Sequence, residues 1–238
     1  MPCSNPSGVC DTWVCEMEGK CVWGGVAMLQ YNEGRAKRDT GEFWIGKEGD
    51  SYITRNASDG LLPAYTYMWS RIMSRLHDVG SVLEVGANIG VNLQAIHRIM
   101  PFVKRSAIEP NVTARGELLR QEIELFPYTA EEPWDNMGKF DVVFTRGVLI
   151  HIPPSMLPVV YENMYTHSSR YIVMAEYFAP KREMIPYHGK DNLLWRADYA
   201  GEIMDRYPDL RLVDYFFVYS RDSVYPQDNV TVFVMEKK

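Results

Sequence analysis

From about Ser81 the chain alternates short apolar runs with amphipathic stretches, a rhythm that predicts strands and helices in βαβ order. "SVLEV" (81–85) reads as a first strand and "GVNLQAIHRIM" (90–100) as the helix after it. "VKRSAIEP" (103–110) and "VTARGELLRQEIEL" (112–125) repeat the pair. A short third strand is expected near "FPYTA" (126–130) and a strong fourth in "FDVVFTRGVLI" (140–150). The helix "SMLPVVYENMYTH" (155–167) then leads to a fifth strand, "RYIVMAEYF" (170–178). A polar connection, the helix "RADYAGEIMDRY" (196–207) and two strands, "LRLVDYFFVYS" (210–220) and "VTVFVMEK" (230–237), complete the pattern. The turn-rich "RDSVYPQDN" between those last two lets them pair as a β-hairpin. The expected architecture is an α/β, Rossmann-like sheet of seven strands over residues 79–238. Residues 41–78 read as a helical lid or cap and residues 1–40 as a cysteine-containing extension.

Composition narrows the class. The chain has 238 residues, 46% of them hydrophobic, ample for a core. No run approaches the ~20 apolar residues of a membrane helix, so no membrane partner is expected. The opening "MPCSNPSGVC" lacks the basic and apolar segments of a signal peptide, which points to a cytoplasmic protein. The three triplets of N-glycosylation form, at Asn56, Asn111 and Asn229, are then chance matches. A net charge of −6 argues against a nucleic-acid partner. Cys3, Cys10, Cys15 and Cys21 all lie in the first 21 residues, with spacings that match no common zinc motif. A thiolate metal site, a disulfide and an extension of unligated thiols are all compatible with them; no metal ligand set is assigned.

The turn after the first strand carries the chemistry. In "SVLEVGANIGVNL" an acid, Glu84, precedes Gly86 and Gly90, with Asn88 between them. Glycine at a strand-to-helix turn lets a ligand lie against bare backbone. The spacing is looser than G-x-G-x-x-G, and an acid at the strand end repels phosphate but suits an ammonium group. Glu109, ending the second strand, sits where a carboxylate can accept both hydroxyls of a ribose. That acid is shared with NAD sites, so these two features alone admit either cofactor.

"LEVGANIG", "FDVVFTRGVLIHIPP", "RYIVMAEYF", "FWIGKEGDSYITRN" and the block from Tyr187 to Tyr219 resemble the class I S-adenosylmethionine-dependent methyltransferases. More narrowly, they resemble the family described as pseudaminic acid biosynthesis-associated methylases. The resemblance runs from about Gly41 to the C-terminus. It implies a seven-stranded class I sheet with its last strand antiparallel, and S-adenosylmethionine as cofactor. It further implies that Glu84, Gly86, Asn88 and Gly90 line the methionine part. Glu109 would hold the ribose beside Pro110, Ala130 and Glu131 would flank the adenine, and Thr145 and Arg146 would lie under the sulfonium. "FWIGKEGDSYITRN" would form a lid, with Arg55 facing the cofactor carboxylate and Trp44 or Tyr52 closing the pocket.

Methyl transfer to a hydroxyl benefits from a nearby base. His151, directly after the fourth strand, is the expected base, through a near-neutral pKa; Glu176 and Tyr177 end the fifth strand at the same mouth. Tyr187, His188 and Arg196 in the polar connection are the expected substrate-binding residues, since aromatic faces and a guanidinium suit an anionic sugar. A surface loop anchored by its aromatics is the plainer reading of the same stretch. The expected activity is methyl transfer to oxygen or nitrogen of a small polar acceptor, a sugar or sugar nucleotide. Another small molecule, an amino acid or a peptide are alternative acceptors, and binding without methyl transfer is the alternative to enzymatic activity. A homodimer is compatible with all of these.

Overall fold

A computed structural model describes residues 60–126, 128–187, 189 and 191–238. It also describes the strands β1 (Val14–Cys15), β2 (Lys20–Trp23) and β3 (Val26–Leu29), and the single positions Trp44, Gly49 and Ile53. The central sheet is built from β4 (Ser81–Val85), β5 (Lys104–Ile108), β6 (Glu124–Phe126), β7 (Phe140–Arg146), β8 (Ser168–Glu176), β11 (Leu210–Val218) and β12 (Val230–Lys237). Its order is β11-β12-β8-β7-β4-β5-β6. The strands from β4 to β8 are parallel, and β12 inserts antiparallel between β8 and β11. The expected seven strands and terminal hairpin are therefore present. β4 and β7 sit side by side while their following strands run off in opposite directions, and that reversal opens a crevice beyond their carboxyl ends.

The helices follow from apolar spacing. In α1 (Leu61–Met73), Ala64, Tyr65, Met68, Trp69, Ile72 and Met73 recur on one face and are buried, while Pro63 sits in the first turn where its missing N–H is not needed. α1 packs on α2 (Val91–Ile99), and Trp69 sets its edge against Phe144 of β7 at 4.5 Å between centroids. α3 (Val112–Arg120) is capped by buried Asn111, whose side chain accepts from the Ala114 amide at 2.9 Å. Of the three N-glycosylation triplets, this one is thus spoken for inside the fold. α4 (Leu157–His167) and α5 (Tyr199–Arg206) pack on the other sheet face with Leu83, Val143, Ile172 and Met174.

Several boundaries differ from expectation. α3 stops at Arg120 because Glu122 turns left-handed (φ 57°), so the third strand is Glu124–Phe126 rather than 126–130. The fourth strand ends at Arg146: Gly147 (φ 65°) diverts "VLI" into a 3₁₀ turn, Leu149–His151. Arg196 belongs to a short ribbon of β9 (Glu183–Met184) and β10 (Trp195–Arg196), and α5 starts only after the Asp198 cap, which accepts from Gly201 at 2.8 Å. β1–β3 form an antiparallel sheet that the polar pattern does not announce, with Cys15 opposite Cys21 in register; Cys3 and Cys10 lie outside the described residues. Trp44, Gly49 and Ile53 have helical backbone within the expected lid, whose other residues lie outside the described ones. Among the described residues no helix is long and apolar enough to cross a membrane.

Gly90 shows what its turn demands. It is left-handed (φ 75°), and a Cβ there would lie 2.6 Å from Leu118 Cδ2 and 3.3 Å from Ile123 Cδ1. Its glycine serves the packing of α3 beneath the loop. Gly90→Ala is expected to lower folding stability by roughly 2–4 kcal/mol, combining left-handed strain with overpacking. Gly116→Ala, inside α3 with nothing within 4 Å of a built Cβ, should be neutral or stabilising by up to about 1 kcal/mol. Urea midpoints of the two variants check this; equal shifts would contradict it.

Candidate functional site

The crevice beyond β4 and β7 is a cleft enclosing about 1100 Å³ of empty space, part of it open to solvent, the size of a small-molecule site. Glu84 is fully buried at the end of β4. Its Oε1 accepts from Asn92 Nδ2 at 2.7 Å, and Asn92 Oδ1 accepts from Trp69 Nε1 at 3.0 Å. Oε2 has no partner. Burial pushes the Glu84 carboxyl well above its usual range, against the Asn92 hydrogen bond and the Arg146 charge, which favour ionisation.

Glu109 follows β5 and is also buried. It accepts from the Asn88 amide at 2.7 Å on Oε2 and from the Asn111 amide at 2.8 Å on Oε1. Burial raises its pKa while these two amides oppose the rise. The left-handed Asn88 (φ 48°) is what brings its amide round to that carboxylate, and its own Nδ2 is buried without a partner among the described residues.

Gly86 (φ 69°) donates to the Ile108 carbonyl at 2.8 Å, tying the loop to the neighbouring strand. A Cβ at Gly86 would come 2.7 Å from Val148 Cγ2, so the bare backbone is required by the loop after β7 as well as by any ligand. Gly86, Asn88, Glu84, Glu109, Pro110, Ala130, Glu131, Arg146, Trp44 and His151 all line the one cleft. Gly90 faces α3 instead, and Thr145 is fully buried behind the wall.

The loop after β7 presents His151. Its Nδ1 lies 2.7 Å from the Leu193 carbonyl, which fixes the N–H on that nitrogen and leaves Nε2 as the acceptor. The ring lies against Trp44 (4.6 Å between centroids) and Tyr187 (5.4 Å). Burial in this aromatic setting lowers its pKa to about 4 despite the opposing carbonyl contact, below the near-neutral value expected from sequence. His151 is the uncharged acceptor form throughout the neutral range.

Glu176 stands behind that loop rather than at the cleft. It is buried, and its Oε1 accepts from the Val148 amide at 3.2 Å. The Leu149 and Ile150 amides also favour its charged form, yet burial wins and raises its pKa to about 7. The Thr145 hydroxyl lies against this carboxylate without completing a well-formed hydrogen bond. Tyr177 is half-buried between the two apolar clusters, and Arg196 is exposed on β10 away from the cleft wall. Tyr187 reaches the site through its ring on His151. Tyr52, Arg55 and His188 lie outside the described residues.

Sequence reasoning missed Asn92, Tyr65 and Gln227. Asn92 was marked by being the polar residue on the apolar face of α2. Tyr65 lines the cleft from α1, under the Arg146 guanidinium at 4.0 Å. Gln227 bonds that same arginine from the β11–β12 connection, which no local pattern could announce. Among the described residues no cluster of three or more metal-ligating side chains occurs.

No protein-family model matches the chain, and no curated protein sequence does. Solved structures do. A SAM-dependent methyltransferase of Leishmania major is 15% identical, with a TM-score of 0.63 over 85% of this chain and 87% of that one. The 1,6-didemethyltoxoflavin-N1-methyltransferase of Burkholderia thailandensis, solved with 1,6-didemethyltoxoflavin and S-adenosylhomocysteine, is 13% identical, with a TM-score of 0.63 over 91% and 97%. The magnesium protoporphyrin IX methyltransferase of Synechocystis, solved with bound SAM, is 12% identical, with a TM-score of 0.60 over 86% and 100%. Sheet order and these similarities together give the chain the class I methyltransferase fold.

Proposed function

We propose that the chain is an S-adenosylmethionine-dependent methyltransferase acting on oxygen or nitrogen of a small polar acceptor, a sugar or sugar nucleotide in particular. The carrying observation is a pair of buried acids, Glu84 and Glu109, bracketing the Gly86 turn at the sheet's switch point. Buried carboxylates are costly without partners, and Glu84 Oε2, Asn88 Nδ2 and Arg146 Nε are buried with none among the described residues. A ligand carrying an ammonium, ribose hydroxyls and further polar groups fits that set. Pyrophosphate suits it less, because Glu84 beside the glycine turn would repel it. The fold similarity to methyltransferases crystallised with SAM or S-adenosylhomocysteine supports the same choice.

When bound, the cofactor supplies an electrophilic methyl on its sulfonium. In this reading Glu84 receives the ammonium and Glu109 the ribose hydroxyls, while Ala130 and Glu131 flank the adenine. His151 holds the acceptor hydroxyl or amine through Nε2 and takes its proton as the new bond forms. The Trp44 and Tyr187 rings beside it suit the apolar face of a sugar ring, which supports the acceptor class. Glu176 positions His151 by holding the amides of the turn that carries it.

Calorimetric titration with S-adenosylhomocysteine is expected to give saturable one-to-one binding, and no heat up to millimolar ligand would overturn the cofactor reading. His151→Ala is expected to lower turnover by about 10²- to 10⁴-fold and leave S-adenosylhomocysteine affinity nearly unchanged; unaltered turnover would make His151 structural. Glu176 yields a stability signature. Its folded pKa of about 7 exceeds the unfolded value near 4.5, so its contribution is fully present below about pH 4.5 and is lost as pH rises through 7. Relative to Glu176→Gln, the wild-type chain should lose stability between pH 5 and 8 in urea melts. Parallel pH curves would refute the burial argument.

A further inference from the structure

Two groups of opposite charge type, buried Glu84 and half-buried Arg146, face the cleft without meeting. Glu84 and Arg146 project from the same face of adjacent strands: Glu84 is registered with Phe144 across β4 and β7, and Arg146 lies two residues on. They are near enough for the Arg146 charge to act on the Glu84 carboxyl. Yet no ion pair joins them among the described residues, and each keeps an unpartnered buried polar atom.

Each is also held in place from behind. Asn92, fixed by Trp69 Nε1, holds one oxygen of Glu84. The Arg146 guanidinium is stacked on Tyr65 at 4.0 Å, and its Nη2 reaches Gln227 Oε1 only at 3.4 Å. Gln227 is buried and donates its Nε2 to the Ala64 carbonyl at 3.0 Å, which turns its oxygen toward the arginine. A guanidinium has five N–H donors in a rigid fork. Among the described residues one long hydrogen bond and one stacking contact leave most of that fork for a planar anion. Collapse of Arg146 onto Glu84 would neutralise both; the supports on Tyr65, Gln227 and Asn92 hold them apart.

We propose that Glu84 and Arg146 form a split receptor for a zwitterion, in which Arg146 binds the carboxylate of the cofactor's amino-acid end while Glu84 binds its ammonium. Tyr65 and Gln227 are positioning residues for the guanidinium. The assignment rests on the cofactor reading above, moves Arg146 from the floor of the sulfonium to the recognition of the methionine carboxylate, and gives it the role the sequence resemblance implied for Arg55. A carboxylate on the acceptor offers the same chemistry to a guanidinium. Arg146 shares its sheet face with Glu84, whereas Leu149 and Ile150 of the His151 turn pack in the cluster on the opposite face, and this favours the cofactor as the source.

The test compares binding of S-adenosylhomocysteine with that of 5′-methylthioadenosine, which keeps the nucleoside and sulfur but lacks the amino-acid end. Arg146→Gln is expected to weaken S-adenosylhomocysteine roughly 10- to 100-fold and to leave methylthioadenosine affinity within about twofold, collapsing the wild-type preference. Gln227→Leu, which keeps the arginine and removes its guide, should cut the same preference several-fold. The ratio of the two affinities is insensitive to a general loss of folded protein, so a destabilised variant still reports. An unchanged ratio in both variants overturns the proposal. So does an intact S-adenosylhomocysteine affinity with a raised acceptor KM, which would give Arg146 to the acceptor. Binding of neither probe by the wild-type chain overturns the cofactor reading itself, whereas wild-type binding with an unchanged ratio overturns the Arg146 assignment alone.

Discussion

A carboxylate buried near the end of β4, an interior strand, is the constraint around which the cleft is arranged. Glu84 sits in β4, flanked by strands on both sides and covered by α1 and α2, where an ionised group has little water to stabilise it. The fold supplies half of what it needs through Asn92 and, behind Asn92, the Trp69 indole. The other half is left open. An apolar residue there would pack without that penalty; the account places the ammonium of the proposed cofactor on the open oxygen. The turn at Gly86, the acid at Glu109 and the guanidinium at Arg146 all face the same opening.

The sheet divides the chemistry between its two faces. Glu84, Phe144 and Arg146 point toward α1 and α2, the face proposed to hold one end of the cofactor, with supports from Tyr65, Trp69 and Gln227. Val85 and Thr145 point the other way, toward Glu176 and the turn that presents His151. In the proposed reading, the amino-acid end of the cofactor and the acceptor chemistry draw on different faces of the sheet, while the adenine, beside Ala130, shares the second. The uncharged state of His151 belongs to the second: its aromatic surroundings exclude water, keep the proton off at neutral pH and leave Nε2 to accept.

Much of the fold was legible because the central strands are long apolar runs, and runs such as "SVLEV" and "IVMAE" fit parallel strands covered on both faces. The hairpin was legible from its turn residues. What failed were stops set by tertiary contacts. Glu122 carries no sequence signal for a left-handed residue, yet it ends α3 and moves the third strand upstream. "GVLI" has the composition of a strand, but Gly147 turns it and Glu176 captures its amides, so it becomes the mount for His151. The acids and Gly86 could be found because a strand-end carboxylate beside glycine is locally unusual. Gln227 could not, because its partner Ala64 lies 163 residues away and only folding brings them together. The reason for Gly90 was also out of reach, since the groups that exclude a side chain there belong to α3 and the segment after it.

A crystal structure grown with S-adenosylhomocysteine tests the central claim most directly. The account predicts the ligand along the crevice beyond β4, with its amino group on Glu84, its ribose on Glu109 and its sulfur toward the His151 side. Density for the ligand elsewhere on the molecule, or a crevice closed by the protein's own side chains, would contradict it.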